Sequence, residues 1–144
     1  MVLHSKSEIF FFCKLCSGEI LSGIIYVVSF FRVILDLGPA SRGHALILPK
    51  EHFKDLCELD EQVAAKVLPL AGKIGAAMKQ ALGCAGFNVV QNNGETAGQT
   101  VFHFHVHIIP RYEGGPAMVT WEPGKADSAE FAEISSSIKE VLQS

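Results

Sequence analysis

At 144 residues, 49% hydrophobic and 19% charged, the chain can bury the core of one folded domain and is too apolar for intrinsic disorder. A net charge of −3 gives no polycationic surface, which argues against nucleic acid as a bulk partner; backbone N–H groups could still cradle a phosphate locally. Cys13, Cys16, Cys57 and Cys84 are too few and too scattered for a secreted disulfide scaffold, and fit a reduced, cytoplasmic setting.

Residues 5–18 read as a short helical turn that packs Phe10, Phe11 and Phe12. The apolar stretch at 9–12 is too short for a signal peptide, and no small-residue cleavage site follows. The run from Ile20 to Leu35 is interrupted by Ser22-Gly23, Ser29 and Arg32, and falls short of the roughly 18 apolar residues that a membrane span needs. Its Ile, Val, Tyr and Phe content favours paired strands at 24–28 and 30–35, turning near Ser29. A third strand covers 45–48 and stops at Pro49. Asp60 can cap a long helix to about Leu82, with Val63, Val67, Leu70, Ile74 and Met78 on one stripe and Gly83 as its stop. Pro69, inside it, should bend the helix or shift its start. Strands over 87–91 and 100–109 flank an Asn/Gly-rich loop in a hairpin-like return. Gly114-Gly115-Pro116 and Glu122-Pro123-Gly124 then break the pattern. Asp127 and Glu130 form a capping box for a terminal helix to about Leu142. Strands and helices in this order, with short connections, give an α+β fold.

The chemistry lies in Gly-Gln-Thr-Val-Phe-His-Phe-His-Val-His-Ile-Ile-Pro-Arg at 98–111. If the strand runs through it, His103, His105 and His107 share one face and Phe104, Val106 and Ile108 the other. Imidazole can serve as nucleophile, acid, base or metal ligand near neutral pH. One rival reading has one or two of these rings satisfying buried backbone groups. Another is a three-histidine metal site, opposed by the roughly 6.5–7 Å between alternate strand residues. The neighbouring loop offers Gly94 and Gly98 for close backbone approach, and Asn92, Gln99 and Thr100 as neutral donors to phosphate. Asp36, ahead of Gly38-Pro39, reads by itself as a turn residue.

The stretch His103-Phe104-His105-Val106-His107-Ile108-Ile109 resembles the signature of the histidine-triad (HIT) family, in its Hint-like, bacterial-type branch. The resemblance extends through Lys14-Leu15, Gly18-Glu19-Ile20, Leu35-Asp36, Gly43-His44, Pro49-Lys50-Glu51-His52, the run 86–94 and Ala97-Gly98-Gln99-Thr100, up to Trp121. It implies a HIT domain over 1–144, with a core at about 10–121 and a C-terminal extension and helix at 122–144. The implied fold is a mainly antiparallel sheet with a long central helix and a C-terminal helix. His105 becomes the nucleophile, His107 faces the bridging or leaving atom, His103 supports the layer beneath, and His44 lines the site. Asn92, Gln99 and Thr100 face phosphate, Asp36 the ribose hydroxyls, and Phe12, Leu15, Ile20, Ile34 and Leu46 the base. The implied activity is hydrolysis of purine nucleoside phosphoramidates or dinucleoside polyphosphates through a nucleotidyl-histidine, by a homodimer with no role for nucleic acid or membrane. The alternative is a nucleotide-binding regulator with incidental turnover.

One departure concerns metal. Members of the family often join two cysteines, spaced Cys-x-x-Cys, to the Pro-Lys-x-His histidine and the first triad histidine around structural zinc. Here Cys13, His52 and His103 match, but Phe10 stands where the first cysteine belongs, and Cys16 is out of register. Without a fourth ligand the tetrahedral site is incomplete, so the expectation is an enzyme that requires no cofactor and holds little zinc.

Overall fold

A computed structural model describes Lys14 and residues 23–116, 121–125 and 127–144. The expected N-terminal turn, with Phe12, Cys13, Leu15, Cys16 and Ile20, lies outside the described residues.

Five strands form one antiparallel sheet in the order β1-β2-β3-β5-β4: β1 Ile24–Val27, β2 Phe31–Leu35, β3 Ala45–Pro49, β4 Gly86–Val90 and β5 Val106–Arg111. Among the described residues, two long helices, α1 at Glu61–Leu82 and α2 at Ser128–Gln143, complete the α+β architecture. Local signals set the limits of α1. The Asp60 carboxylate accepts from the N–H groups of Gln62 and Val63, and Gly83 closes the helix in the left-handed conformation, its N–H donating to the Lys79 carbonyl. Pro69 sits inside the helix without moving its start. Asp127 likewise caps α2 by accepting from Ala129 and Glu130.

Strand alternation divides the sheet into two faces. Phe31, Val33, Ala45, Ile47, Val106 and Ile108 meet Val63, Val67, Leu70, Ile74 and Met78 of α1 in the main core. Ile34, Leu46 and Leu48 form a second cluster with Ile24 on the other face. The register pairs Ile24 with Ile34, Ile34 with Leu46, Leu46 with His107, and His107 with Val90. This row crosses all five strands on the face away from α1.

The expectation of one strand over 100–109 needs correction: β5 begins at Val106, and residues 101–105 have no strand geometry. The β3 ladder reaches only Ile47 opposite Val106, and Pro49, which would come opposite Phe104, has no N–H to donate. Phe104 instead donates its N–H to the Phe53 carbonyl at 2.6 Å. His103 and His105 are therefore not strand neighbours of His107.

Helix and sheet approach closely at Gly75, where a Cβ would lie 2.2 Å from the Phe87 ring. Gly75→Ala should lower the unfolding free energy by about 1–3 kcal/mol through overpacking. Phe87→Leu in the same chain should recover part of the loss, as a double-mutant cycle in urea would measure.

Candidate active site

Two pairs of imidazoles occupy the same end of the sheet. In the first, Nε2 of His44 lies 2.9 Å from Nδ1 of His107, with Oδ2 of Asp36 at 3.5 Å from the former and 3.9 Å from the latter. The His105 ring stands edge-on to His107, with centroids 5.0 Å apart. In the second pair, Nδ1 of His52 and Nδ1 of His103 are 2.9 Å apart. His103 is fully buried, while His52 is at the surface.

A neutral imidazole has one proton to place, and backbone groups decide where each goes. The Ala40 N–H donates to Nδ1 of His44 at 3.0 Å, so the proton of His44 is on Nε2. That N–H donates to Nδ1 of His107, which puts the His107 proton on Nε2. Nδ1 of His105 donates to the carbonyl of His103 at 2.7 Å, leaving the lone pair of His105 on Nε2. Nε2 of His103 donates to the Pro49 carbonyl at 3.2 Å, so its Nδ1 lone pair faces His52. The reading in which such rings satisfy buried backbone groups is thus realised for His103 and His105, and it is compatible with chemistry.

Burial favours the neutral form of His44, His103, His105 and His107. It pushes the pKa of His107 down to about 4, assisted by His105 and His44 and opposed by Asp36. Burial also pushes His103 down to about 4 against the favourable Pro49 carbonyl. His44 and His105 are held below the ordinary imidazole value, again mainly by burial.

Asp36 is both a turn residue and a neighbour of the histidines. Its Oδ1 accepts from the Gly38 N–H at 2.8 Å, which leaves Oδ2 turned toward His44 and His107. Ile34 and Leu46 are buried along the same sheet row as His107. Val90 flanks His107 on the other side, so the chain that carries Asn92 leaves the sheet beside that ring. Gly98, at φ 90°, lies beneath the Asn92 amide, whose Nδ2 would be 3.7 Å from a Cβ there. Thr100 is exposed at the end of this loop.

Gln99 departs from its expected role as a side-chain phosphate donor. It is 2% exposed. Its amide donates to the carbonyls of Lys54 and Val101 and accepts from the Gly94 N–H. With both N–H groups engaged, the side chain braces the loop and has no donor left for a ligand. Sequence reading missed the Ala40 N–H and the carbonyls of Pro49 and His103, which set the ring tautomers. Backbone groups carry no residue-type signal by which to find them.

Two clusters could be considered for metal. The His52–His103 pair turns two imidazole nitrogens toward one point, as an ion with imidazole ligands requires; Cys13 and Cys16 belong to the undescribed segment. Asp36, His44 and His107 also converge. There, however, the Ala40 N–H holds the His44 proton on Nε2, and an ion would have to displace that proton.

Comparison with known proteins agrees with this architecture. Residues 17–114 match the family model of the HIT domain. The Hit protein of Bacillus subtilis is 36% identical over 136 residues, which cover 92% of this chain and 94% of that protein. The adenosine 5′-monophosphoramidase of Schizosaccharomyces pombe is 41% identical over 100 residues, 69% of this chain and 72% of that protein. A crystal structure from Streptococcus mutans superposes with a TM-score of 0.86 at 32% identity, covering 99% of this chain and 90% of that one. The chain belongs to the HIT-domain family.

The buried rings predict a pH dependence of stability. His107 has a folded pKa of about 4 against an ordinary value of 6.5. Between those values the unfolded chain binds a proton that the folded chain does not, so stability rises with pH across the window and is lost as pH falls toward 4. Urea unfolding from pH 4 to 7 should show this slope, and His107→Asn should flatten it. NMR titration of the His107 ring should show it neutral at pH 6.

Proposed function

We propose that the protein is a nucleotide hydrolase. It releases a purine nucleoside monophosphate from an N- or O-linked leaving group, as in nucleoside phosphoramidates or short dinucleoside polyphosphates, through a nucleotidyl intermediate on His105. The observation that carries this reading is the 2.7 Å hydrogen bond from Nδ1 of His105 to the His103 carbonyl, which puts the nucleophilic lone pair on Nε2 beside His107. The name of the Schizosaccharomyces pombe relative, an adenosine 5′-monophosphoramidase, supports the same substrate class.

In the first step Nε2 of His105 attacks phosphorus, and the bond to the leaving atom breaks. That atom departs with a proton drawn from solvent, held in place by a hydrogen bond from the Nε2–H of His107, while the His44 N–H steadies that ring from its other side. In the second step water attacks the nucleotidyl-imidazole, the bond from phosphorus to Nε2 of His105 breaks, the proton of the water passes to solvent, and the monophosphate is released. Asn92 and Thr100 stabilise the phosphoryl oxygens as charge develops. Oδ2 of Asp36 takes the ribose hydroxyls, and Ile34 and Leu46 contribute to an apolar base pocket that tolerates adenine and guanine.

The reading includes a homodimer in a reducing, cytoplasmic setting. Among the described residues the β4 edge has no neighbour on its outer side, and Leu56, Leu68 and Val89 are exposed next to it. Pairing of two sheets along β4, with the α1 helices alongside, would cover them. Among the described residues, no helix is long and apolar enough to cross a membrane.

His105→Ala should abolish turnover while leaving AMP binding within about tenfold of the parent, because the ribose and base contacts persist. Single-turnover assays and calorimetric titration decide the point; a variant turning over within a factor of about ten of the parent removes His105 as nucleophile.

The zinc expectation is tested separately. His52 and His103 fit as imidazole donors and Cys13 matches a third ligand, but Phe10 occupies the place of the fourth. The purified protein should hold substoichiometric zinc and retain activity in a strong chelator. Phe10→Cys should raise both zinc occupancy and melting temperature. Elemental analysis of the two proteins measures this, and full occupancy in the parent would mean that Cys16 completes the site.

A further inference from the structure

α1 leaves part of the sheet uncovered. A helix about 10 Å across cannot roof five strands about 4.8 Å apart, and α1 packs on β3, β4 and β5. Along the flank of α1 toward β1 and β2 runs an apolar trough formed by two adjoining cavities of about 310 and 550 Å³ that share Tyr26 and Lys73. Its floor includes Ile25 and Leu35, which are 46% and 41% exposed, and its helical wall includes Ala77 and Ala81. Lys66, Lys73 and Arg42 stand along it, with no acidic residue among those lining it.

The chain also carries a helix that no other described residue buries. α2 buries none of its residues, yet Phe131, Ile134, Ile138 and Val141 are all exposed. At about 100° per residue these four, with Leu142, occupy about a third of the helix circumference, with Glu130 on one shoulder. An apolar stripe of this kind is stable in water only when something covers it.

We propose that the trough binds α2 of a second copy of this chain, so that two molecules exchange their C-terminal helices. Three features match. α2 has 16 residues and is about 24 Å long; the trough follows α1 from Lys66 to Leu82, about the same length. Among the described residues both surfaces are apolar and unpartnered. The rim of the trough is basic, and Glu130 stands on the shoulder of the α2 stripe, where it would meet that rim. The occupant is a second copy because α2 does not line the trough of its own chain. Leu68 and the β4 edge are on the opposite flank of α1, so the exchange is compatible with sheet-edge pairing and does not require it.

Photo-cross-linking of the full chain tests the proposal. p-Benzoylphenylalanine in place of Ile134, an exposed position, should give on irradiation a product of twice the chain mass, with the attachment mapped to β1 or to residues 73–82 of α1. Ile138→Asp in the same chain, or Lys66→Glu with Lys73→Glu, should cut the yield about tenfold while circular dichroism is unchanged. Attachment to the trough in a product of single mass would mean that the helix occupies its own groove, and would overturn the exchange. So would attachment elsewhere, or a yield indifferent to these substitutions. Sedimentation of the same samples separates this from the β4 pairing: a dimer without trough attachment leaves that pairing standing and removes only the exchange.

Discussion

The hydrogen bond from Nδ1 of His105 to the carbonyl of His103 governs what this site can do. A buried, neutral imidazole has one proton, and fixing it on one nitrogen fixes the lone pair on the other. The carbonyl at 2.7 Å makes that choice for His105. The Ala40 N–H makes the opposite choice for His44, and through His44 it sets the proton of His107. An acceptor and a donor of the backbone, on different loops, thus leave one ring with a lone pair and its neighbour with a proton. Burial maintains the arrangement by disfavouring the charged state of every ring involved.

The sheet brings those loops together. β3 is buried along its whole length because both of its faces are covered, Ala45 and Ile47 toward α1 and Leu46 and Leu48 away from it. The register that pairs Leu46 with His107 also sets His44, just before β3, against His107. A slip of one residue would turn His107 toward α1 and bring Ile108 into the site. The apolar packing of the helix face therefore also fixes the position of the reactive face.

Local chemistry made much of this legible. The limits of α1 could be read from Asp60 and Gly83 because capping depends on neighbouring residues, and the order of the strands followed from short apolar runs between turn residues. The start of β5 could not be read, since the period-2 pattern of 103–107 satisfies strand alternation and the ladder fails only because of what lies opposite, at Pro49 and beyond. Gln99 was misjudged for a related reason. Its residue type announces donors, but the carbonyls of Lys54 and Val101 that engage them come from the fold. The candidate residues His44, His105, His107 and Asp36 were visible as a set, whereas the proton on each ring depends on backbone partners that the sequence does not display.

The loss of strand geometry before Val106 gives His103 its own part in the site. In a regular strand its carbonyl would point sideways into the ladder, out of reach of its neighbour's side chain. Here the His103 ring is anchored at Nε2 to the Pro49 carbonyl and at Nδ1 to His52, and this double anchorage holds the backbone carbonyl that receives the His105 proton. His103 thus acts through its own main chain, orienting the His105 ring while its own ring stays fully buried. An ion between His52 and His103 would strengthen that anchorage without touching His105 or His107, so zinc content would be expected to bear on stability and on the order of the loop, and the proposed displacement at phosphorus would not depend on it.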